Sequence, residues 1–335
     1  MKSLKLGVIG SGFGLYGLLP AFNSLESCEV VAICGKKTER LLNYCESIGL
    51  KKIYTDWQKM LNNENLDAIA IAVTPNVQYA IAKAAAQKKI NIFAEKPLAA
   101  NALQARELFD LAKKNKITHT VDFIFPEIDE WQKVKQLLDD KKFGRLIHVS
   151  ANWDFLSFDI KNKVSSWKTD VSEGGGALSF YFSHALYYLE YYVGEIATIK
   201  SEFFHSKKSI NKAEVGVNLL LKFKNGVSGN AHVSCNSRNL NEHQVVFTCE
   251  KGEIILENNG VVIDNFTLTI YKGRKKEVIK SNDLTINSED ERVKIVRKLA
   301  KRFVEACVQH KQMIPSFREG LRVQELIEKI RKSQI

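Results

Sequence analysis

The chain has 335 residues, of which 45% are hydrophobic and 26% are charged, and its formal net charge at pH 7 is +11. This length predicts about two domains, and the lack of an apolar run of about 18 residues or a secretory leader predicts a cytoplasmic protein without a membrane partner. The positive charge is spread among acidic neighbours, and its densest runs, at 272–276 and 113–116, are short and contain no aromatic residue, so we expect no nucleic-acid partner.

The first predicted element is a buried strand at Leu4 to Ile9, and glycines follow it directly. Gly10, Gly12 and Gly14 stand where a dinucleotide-binding chain turns sharply and approaches a pyrophosphate, because glycine adopts positive φ and has no Cβ to block the phosphates. The apolar residues from Leu15 onward predict a helix whose amino end faces the anion. A GxGxxG motif would place its third glycine at position 15, so an ordinary glycine-rich turn is the alternative. The strand, loop and helix in sequence favour dinucleotide binding.

Strands and helices alternate up to about residue 121, which predicts a parallel sheet with helices on both faces. The predicted strands are Leu4 to Ile9, Glu29 to Cys34, Ala68 to Val73, Asn91 to Ala94 and Thr118 to Val121. The predicted helices include Val77 to Gln87 and Ala102 to Asn115. This part is therefore of the α/β class, a doubly wound sheet, and ligands of such sheets bind beyond the carboxyl ends of the strands.

After Phe123, apolar and polar residues alternate along longer segments, which indicates strands with one buried face. They are predicted at Ile147 to Trp153, Ile196 to Phe204, Val215 to Phe223, Gly229 to Cys235, His243 to Cys249 and Glu253 to Glu257. Turns at Asn225-Gly226, Lys251-Gly252 and Asn259-Gly260 predict a mostly antiparallel sheet of the α+β class. Helices around Leu178 to Val193 and Glu289 to His310 would cover it. We place the domains at residues 1–122 and 123–335.

The six cysteines are scattered without CxxC spacing, and the seven histidines show neither HxxxH spacing nor a clustered cysteine partner. Scattered cysteines in apolar segments are typical of reduced, buried thiols. We therefore expect no bound metal.

The chain resembles the Gfo/Idh/MocA family, the glucose-fructose oxidoreductase and inositol dehydrogenase superfamily. The stretches that carry the resemblance are GSGFG with the downstream LPAF, Val73-Thr74-Pro75, AEKPLA at Ala94 to Ala99, GGGALSFYFSHALYYLEYYVGEI at Gly174 to Ile196, and PSFREGLRVQELIEKI at Pro315 to Ile330. The resemblance implies a Rossmann domain followed by an open-faced sheet domain that often mediates dimers or tetramers. It also implies a nicotinamide cofactor and a sugar or cyclitol substrate that reacts at a secondary alcohol carbon.

The resemblance also implies which side chains act on the substrate. The family places the lysine of the EKP motif, Lys96 here, beside the nicotinamide and the reacting oxygen, and it uses His184 at the substrate. Many members have an aspartate one turn before this histidine, where the chain has Phe180, and Tyr187 stands where another aspartate is common. Tyr187 shares a helical face with Ser183 and His184, so its phenol could replace the missing group. Simple aromatic packing is the alternative for these rings.

The candidate site residues fall into three sets. Cofactor binding is assigned to Gly10, Gly12, Phe13, Gly14, Gly35, Lys36, Lys37, Thr74, Pro75, Glu95 and Lys96. Substrate binding is assigned to Trp167, Lys168, Ser183 and His184, and catalysis to Lys96, His184 and Tyr187. The family's substrate specificity does not transfer, because Gln78 occupies a position that is often histidine and the segment 122–126 lacks an arginine often found there.

The end of the second predicted strand bears on the choice of cofactor. An acidic residue there would bind the ribose 2′-OH of NAD and repel the 2′-phosphate of NADP. The chain has Gly35 in this place, followed by Lys36 and Lys37. We therefore predict that NADP(H) is preferred over NAD(H), with a solvated lysine turn as the alternative.

Together these features predict an NAD(P)-dependent oxidoreductase that acts on a CH–OH group of a sugar-like substrate, which a nucleotide could carry. Two alternatives stay open. One is a cofactor-binding regulatory protein or pseudoenzyme, favoured by Phe180 and the missing polar groups. The other is a reductase of a non-sugar substrate, favoured by the aromatic segment 180–192. A homodimer or homotetramer is expected.

Overall fold

The structure is a computed structural model, and it describes residues 3–206, 213–260, 263, 265–280 and 289–333. The chain divides into two compact units, which we call the first unit (Met1–Ile124 with Thr285–Gln324) and the second unit (Phe125–Leu284 with Glu325–Ile335). Within the described ranges, no helix is both long and apolar enough to cross a membrane, and no group of three or more His, Cys, Asp or Glu side chains could hold a metal ion. The expected location and oligomeric state stay predictions.

The strands of the described residues form one sheet in each unit. The first sheet contains β1 (Leu4–Ile9), β2 (Cys28–Cys34), β3 (Ile53–Tyr54), β4 (Ala68–Ile71), β5 (Asn91–Ala94) and β6 (His119–Val121). The second contains β7 (Leu146–Asp154), β8 (Ile196–His205), β9 (Glu214–Phe223), β10 (Ser228–Ser234), β11 (Glu242–Cys249), β12 (Gly252–Asn258), β13 (Thr267–Lys272) and β14 (Lys275–Lys280).

The α-helices of the described residues are mostly short. They are α1 (Leu19–Asn23), α2 (Glu39–Ser47), α3 (Trp57–Asn63), α4 (Pro75–Gln87), α5 (Ala102–Asn115), α6 (Asp129–Asp139), α7 (Phe158–Asn162), α8 (Ala177–Phe180), α9 (Ser183–Val193), α10 (Val293–Val308) and α11 (Phe317–Lys332). Short 3₁₀ turns occur at Phe125–Glu127, Trp167–Thr169 and Val171–Glu173, and a π-helical turn at Gly14–Leu18.

The first sheet has the strand order β3-β2-β1-β4-β5-β6, and each neighbouring pair is parallel. The predicted doubly wound α/β fold is therefore confirmed. Its central strands are almost entirely buried: every residue of β4 is buried, and so is all of β1 except Lys5. Helices must cover both faces of such strands. The strand order reverses between β1 and β4, the place where this architecture binds its ligands.

The segment 289–324 belongs to the first unit, which corrects the expected second domain of 123–335. The ring of Phe303 on α10 packs against Phe22 and Phe93, with centroids 6.3 Å and 5.7 Å apart. The apolar face of α10 thus completes the core around the first sheet. Sequence pattern alone could not assign it, because an amphipathic helix does not reveal which sheet it covers.

The second sheet has the order β14-β13-β12-β11-β7-β10-β9-β8, with β7 and β10 parallel and the other neighbours antiparallel. The predicted mostly antiparallel sheet is confirmed. Along β7, the buried Val149 and Ala151 alternate with the half-exposed Ser150 and Asn152, so one face is polar. The basic run 272–276 turns between β13 and β14, which we did not predict because the residues of β14 are largely exposed.

The predicted helix from Leu178 to Val193 is divided into α8 and α9. The amide of Phe182 donates to the carbonyl oxygen of Ala177, five residues earlier, at 3.0 Å. This wider turn interrupts the regular helical hydrogen bonds. His184 therefore lies in the first turn of α9.

Candidate cofactor and active site

Gly10 turns the chain at the end of β1. Its φ is +131°, and its amide donates to the carbonyl oxygen of Cys34 at 2.8 Å. A Cβ at this position would overlap the carbonyl oxygen of Ala72. Both the backbone conformation and the close packing therefore require glycine.

Gly12 is a glycine for a different reason. It is exposed, its φ lies outside the positive region, and an added Cβ would have no heavy atom within 4 Å. The packing of the described residues thus does not demand a glycine here. The open space is what a pyrophosphate needs in order to approach the backbone, so these residues fit the phosphates of a dinucleotide.

The residues after Gly12 differ from the single helix that we expected to begin near Leu15. Gly14–Leu18 form a π-helical turn, and α1 follows it. The ring of Phe13 packs against Gly17, where any Cβ would overlap ring atoms. Gly17 is therefore required by the position of Phe13, which explains a glycine that the GxGxxG pattern does not include.

Arg292 covers Phe13, and the sequence did not reveal this contact. Its guanidinium carbon lies 4.3 Å from the centroid of the Phe13 ring. Two hydrogen bonds of 2.8 Å each, from Nε and Nη2, hold it on the carboxylate of Asp290. Although burial raises the pKa of Asp290, its hydrogen bonds with Arg292 and the positive charge of that residue lower it overall. The glycine loop thus has a fixed cation beside it, from a residue far away in the sequence.

The turn after β2 contains the residues predicted to determine the preference for NADP(H) over NAD(H). The amide of Gly35 donates to the carbonyl oxygen of Tyr54 at 2.9 Å. A Cβ on Gly35 would lie 2.9 Å from the Cβ and 3.0 Å from the amide nitrogen of Ser11, so an acidic side chain here would have to displace the glycine loop. Lys36 and Lys37 follow and are exposed.

The other predicted cofactor residues follow β4 and β5. Thr74 stands at the N-cap position of α4 and Pro75 begins the helix, while Glu95 and Lys96 follow β5 and are half-buried. The amide of Lys96 donates to Oε2 of Glu95 at 2.9 Å, and the peptide bond to Pro97 is cis. Because the strands are parallel, all the predicted cofactor residues lie at the carboxyl edge of the first sheet.

Gln78 on α4 fixes the backbone that carries Lys96. Its Nε2 lies 2.6 Å from the carbonyl oxygen of Glu95, 3.0 Å from that of Pro97 and 3.2 Å from that of Leu98. The side chain is 1% exposed. From the sequence, we identified Gln78 only as a departure from the family pattern and missed this supporting role. A glutamine on the buried face of a helix was a signal that its amide has hydrogen-bond partners.

We expect Gln78→Leu to lower the free energy of unfolding by about 2 kcal/mol, because buried carbonyl oxygens would lose their donor. Urea unfolding would measure the change. Gln87→Leu is the matched control, since Gln87 is exposed on the same helix. A surface change of this kind should stay within about 0.5 kcal/mol of the parent. Equal effects of the two substitutions would contradict the supporting role.

In the second unit, Phe180 at the end of α8 contacts two of the predicted substrate residues. The ring of Trp167 meets it edge-on, with centroids 5.2 Å apart. Nζ of Lys168 lies 4.5 Å from the same centroid and 3.6 Å from Oδ2 of Asp159. The structure thus brings Trp167 and Lys168 together at the residue that stands in place of the family aspartate.

Two residues that we did not predict hold the glycine-rich turn before α8. Arg331 donates from Nη2 to the carbonyl oxygen of Gly175 and to Oγ of Ser179, at 2.9 Å each. Glu214 accepts the amide hydrogen of Leu178 at 3.2 Å. Burial raises the pKa of Glu214 despite the nearby charge of Arg331. These contacts join distant parts of the chain, so no local pattern predicted them.

The remaining candidates lie on α9. His184 is 7% exposed, and its ring meets Phe125 edge-on with centroids 5.1 Å apart. Oγ of Ser183 lies 3.5 Å from the carbonyl oxygen of Phe180, the last residue of α8. Tyr187 is 5% exposed, one turn after Ser183 and His184 as predicted, and its ring centroid is 5.8 Å from that of Tyr191. The roles of His184 and Tyr187 stay predictions.

A cavity of about 990 Å³ opens beside the loop after β7. Among the described residues, its wall contains the cationic side chains Lys161, Lys163, Lys168 and Arg238. Asp159 and Glu214 are the acidic members of this wall, and Tyr181 is its largest aromatic residue. Of the predicted substrate residues, Lys168 lines the cavity, whereas Trp167, Ser183 and His184 are not among its described lining residues.

Two family models match the chain. The oxidoreductase family with an NAD-binding Rossmann fold matches residues 4–123, and the GFO/IDH/MocA C-terminal domain matches residues 131–255. The chain therefore belongs to the Gfo/Idh/MocA family of oxidoreductases, as its sequence motifs indicated.

Particular relatives agree with this assignment. An uncharacterized oxidoreductase of Synechocystis sp. is 29% identical over 192 residues, which is 57% of this chain and 52% of that protein, so the chain spans about half the length of this relative. The structure of levoglucosan dehydrogenase with NADH and levoglucosan has a TM-score of 0.83 at 20% identity, covering 99% of this chain and 97% of that one. KijD10, a 3-ketoreductase from Actinomadura kijaniata in complex with NADP and TDP-benzene, has a TM-score of 0.83 at 18% identity, covering 99% and 98%. These structural similarities show a shared fold.

Proposed function

We propose that this protein is an NAD(P)-dependent oxidoreductase that transfers hydride between the cofactor and a secondary alcohol or ketone of a sugar-like substrate. The observation that carries the proposal is the carboxyl edge of the first sheet. There, Gly12 leaves open space where a pyrophosphate would lie, and the half-buried Lys96 follows β5 on the same edge. Levoglucosan dehydrogenase, which shares the fold, supports a sugar-like substrate.

In the proposed reaction, Lys96 handles the proton. A bound nicotinamide would accept hydride from the carbinol carbon or supply hydride to the carbonyl carbon. During oxidation, Nζ of Lys96 as a neutral amine would take the hydroxyl proton as the C=O bond forms; during reduction, its ammonium would return that proton to the oxygen. The family resemblance assigns the imidazole of His184 to the substrate as well. Gln78 keeps the loop of Lys96 in place through the carbonyl hydrogen bonds described above.

The predicted preference for NADP(H) leads to a charge-reversal test. Lys36→Glu should weaken NADPH binding about tenfold, because a charge-assisted contact to the 2′-phosphate contributes about 1.5 kcal/mol or more. NADH binding should change much less. Fluorescence titration of both cofactors measures this. Lys88→Glu is the matched control, since Lys88 is exposed and lies three residues before β5 begins, at the opposite edge of the sheet. Tighter binding of NADH than NADPH by the parent protein would contradict the prediction.

The cavity beside the loop after β7 supports a substrate with an anionic part. Four cationic side chains in its wall, against two acidic ones, favour a negatively charged group. Its volume of about 990 Å³ also exceeds what a single sugar ring needs. KijD10 was solved with a TDP compound, so a nucleotide-linked sugar is the extended substrate that we propose first.

A second candidate function is a cofactor-binding regulatory protein. It is favoured by Phe180, whose ring lies between Trp167 and Lys168 where the family has a carboxylate. The deciding experiment titrates the purified protein with NADPH and NADH and then follows the reduced-nicotinamide absorbance with free and nucleotide-linked keto-sugars. Binding with turnover supports the enzyme. Binding without turnover on any of these compounds favours the regulatory protein, and no binding contradicts both.

A further inference from the structure

Two acidic side chains meet at the carboxyl edge of the first sheet. Strands β5 and β6 are parallel, with Ala94 opposite Val121, so Glu95 and Asp122 follow them side by side. The amide of Asp122 donates to the carbonyl oxygen of Ala94 at 2.9 Å, and its side chain lies close enough to that of Glu95 for the two acidic groups to influence each other. Asp122 is 2% exposed.

Two carboxyl groups can share a hydrogen bond when one of them holds a proton. Burial and the negative charge of Glu95 raise the pKa of Asp122 well above its usual value, while Lys96 and Arg292 act in the opposite direction. Asp122 is therefore the member that holds the proton. Its Oδ1 is buried without a hydrogen-bond partner among the described residues, an arrangement that costs a neutral acid much less than a carboxylate.

The carboxylate of Glu95 is held from two sides. The side chain of Asp122 faces it on one side, and on the other its Oε2 accepts the amide hydrogen of Lys96 at 2.9 Å. The charged groups facing Asp122 are Glu95 and Lys96, which follow β5, and Arg292, which precedes α10. With one proton, the pair carries a single negative charge under the influence of Lys96 and Arg292, and loss of that proton would place a second negative charge near Lys96.

We propose that Asp122 is a positioning residue for Lys96. Its carboxyl group keeps its proton and donates a hydrogen bond to Glu95, so that the two acidic groups present a single, fixed negative charge beside the lysine. The effect of this arrangement on catalysis rests on the proposed function, in which Lys96 transfers the substrate proton. The arrangement itself is a property of the first unit and can be tested without turnover.

The first test asks whether Asp122 keeps its proton at neutral pH. Infrared spectroscopy of the full chain should show the carbonyl band of a buried neutral carboxylic acid at about pH 7, where ordinary carboxyls are ionised. Asp122→Asn should remove that band. Asp67→Asn is the matched control, because Asp67 is exposed and directly precedes β4, at the other edge of the sheet, and it should leave the band unchanged. No neutral-acid band in the parent protein would overturn the proposal.

The second test measures the amine of Lys96 directly. Labelling by an amine-reactive reagent, followed by peptide mass spectrometry over a range of pH, gives the apparent pKa of this one side chain. Asp122→Asn keeps a donor for Glu95 and should label as the parent does. Asp122→Leu removes the donor and leaves the negative charge of Glu95 less dispersed, which should raise the pKa of Lys96 by about half a unit. Because only the neutral amine reacts, labelling of Lys96 at about pH 8 should slow about threefold.

Equal labelling of Lys96 in all three proteins would overturn the positioning role. If Asp122→Leu does not fold, Glu95→Gln serves instead: it removes the negative charge that helps to raise the pKa of Asp122, so the neutral-acid band should disappear at a lower pH than in the parent protein. A band that titrates in that variant as it does in the parent would also overturn the proposal. A parent protein that binds cofactor but fails to turn over would count against the proposed function and leave these results unaffected.

Discussion

Lys96→Ala is expected to lower turnover about a thousandfold, within the range of about 10²–10⁴ that a general acid or base contributes. The alanine cannot take the hydroxyl proton or stabilise the developing charge on the substrate oxygen. Cofactor affinity should stay within about threefold, because the phosphates bind at the glycine loop. Steady-state kinetics with the best substrate and a fluorescence titration with NADPH separate the two effects.

Lys96→Arg is the matched control for this prediction. Arginine keeps the positive charge but does not lose its proton in proteins, so this variant should bind the cofactor as the parent does and regain little of the turnover. If Lys96→Ala keeps more than about a tenth of the parent turnover, Lys96 is not the group that transfers the substrate proton. The proton would then have to be handled elsewhere, and the phenol of Tyr187 would be the next side chain to replace.

Gly12→Val is expected to abolish measurable cofactor binding, with a loss of affinity of about a hundredfold or more, while the protein stays as stable as its parent. Apart from its chain neighbours, a Cβ at Gly12 has no heavy atom within 4 Å, and the residue does not have a positive φ, so we expect the variant to fold normally. The valine side chain would occupy the space that we assign to the pyrophosphate, and the phosphates would lose their backbone contacts. Isothermal titration with NADPH measures the loss of affinity, and a thermal unfolding curve on the same preparation measures the stability.

Gly10→Ala provides the contrasting result. A Cβ there would overlap the carbonyl oxygen of Ala72 at a residue with φ of +131°, so this variant should lose stability as well as binding. If Gly12→Val instead binds NADPH like the parent, the open space at Gly12 does not receive a pyrophosphate. If it unfolds like Gly10→Ala, the glycine is structural and the assignment of the loop must be revised.

Much of the architecture follows from local pattern. The apolar run before Gly10 predicted β1 at Leu4–Ile9, and the alternation of strands and helices predicted a doubly wound sheet. The EKP motif placed Lys96 directly after β5. Two of the strands that local pattern missed were weakly patterned: β3 has two residues, and the residues of β14 are largely exposed. Hydrophobic periodicity carries little information in such segments.

Other features depend on contacts between residues far apart in the chain. Arg292 lies over Phe13, and Arg331 holds the turn at Gly175, because the C-terminal segment returns to elements formed much earlier. Gln78 could be seen as a buried polar residue on a helix, but its three carbonyl partners could not. Hydrogen-bond geometry of this kind is set by tertiary packing.

The sequence by itself determined the class of protein and the edge of the first sheet where its ligand would bind, because glycine spacing, strand pattern and the EKP motif are local properties of the chain. Only the tertiary structure decided how the residues at that edge are packed and which charges surround them. It showed that Gly12 faces open space while Gly10 and Gly35 are packed against other backbone, and that Asp122 is buried against Glu95. Burial and the charge of a neighbour control where a proton resides, and both exist only in the folded chain.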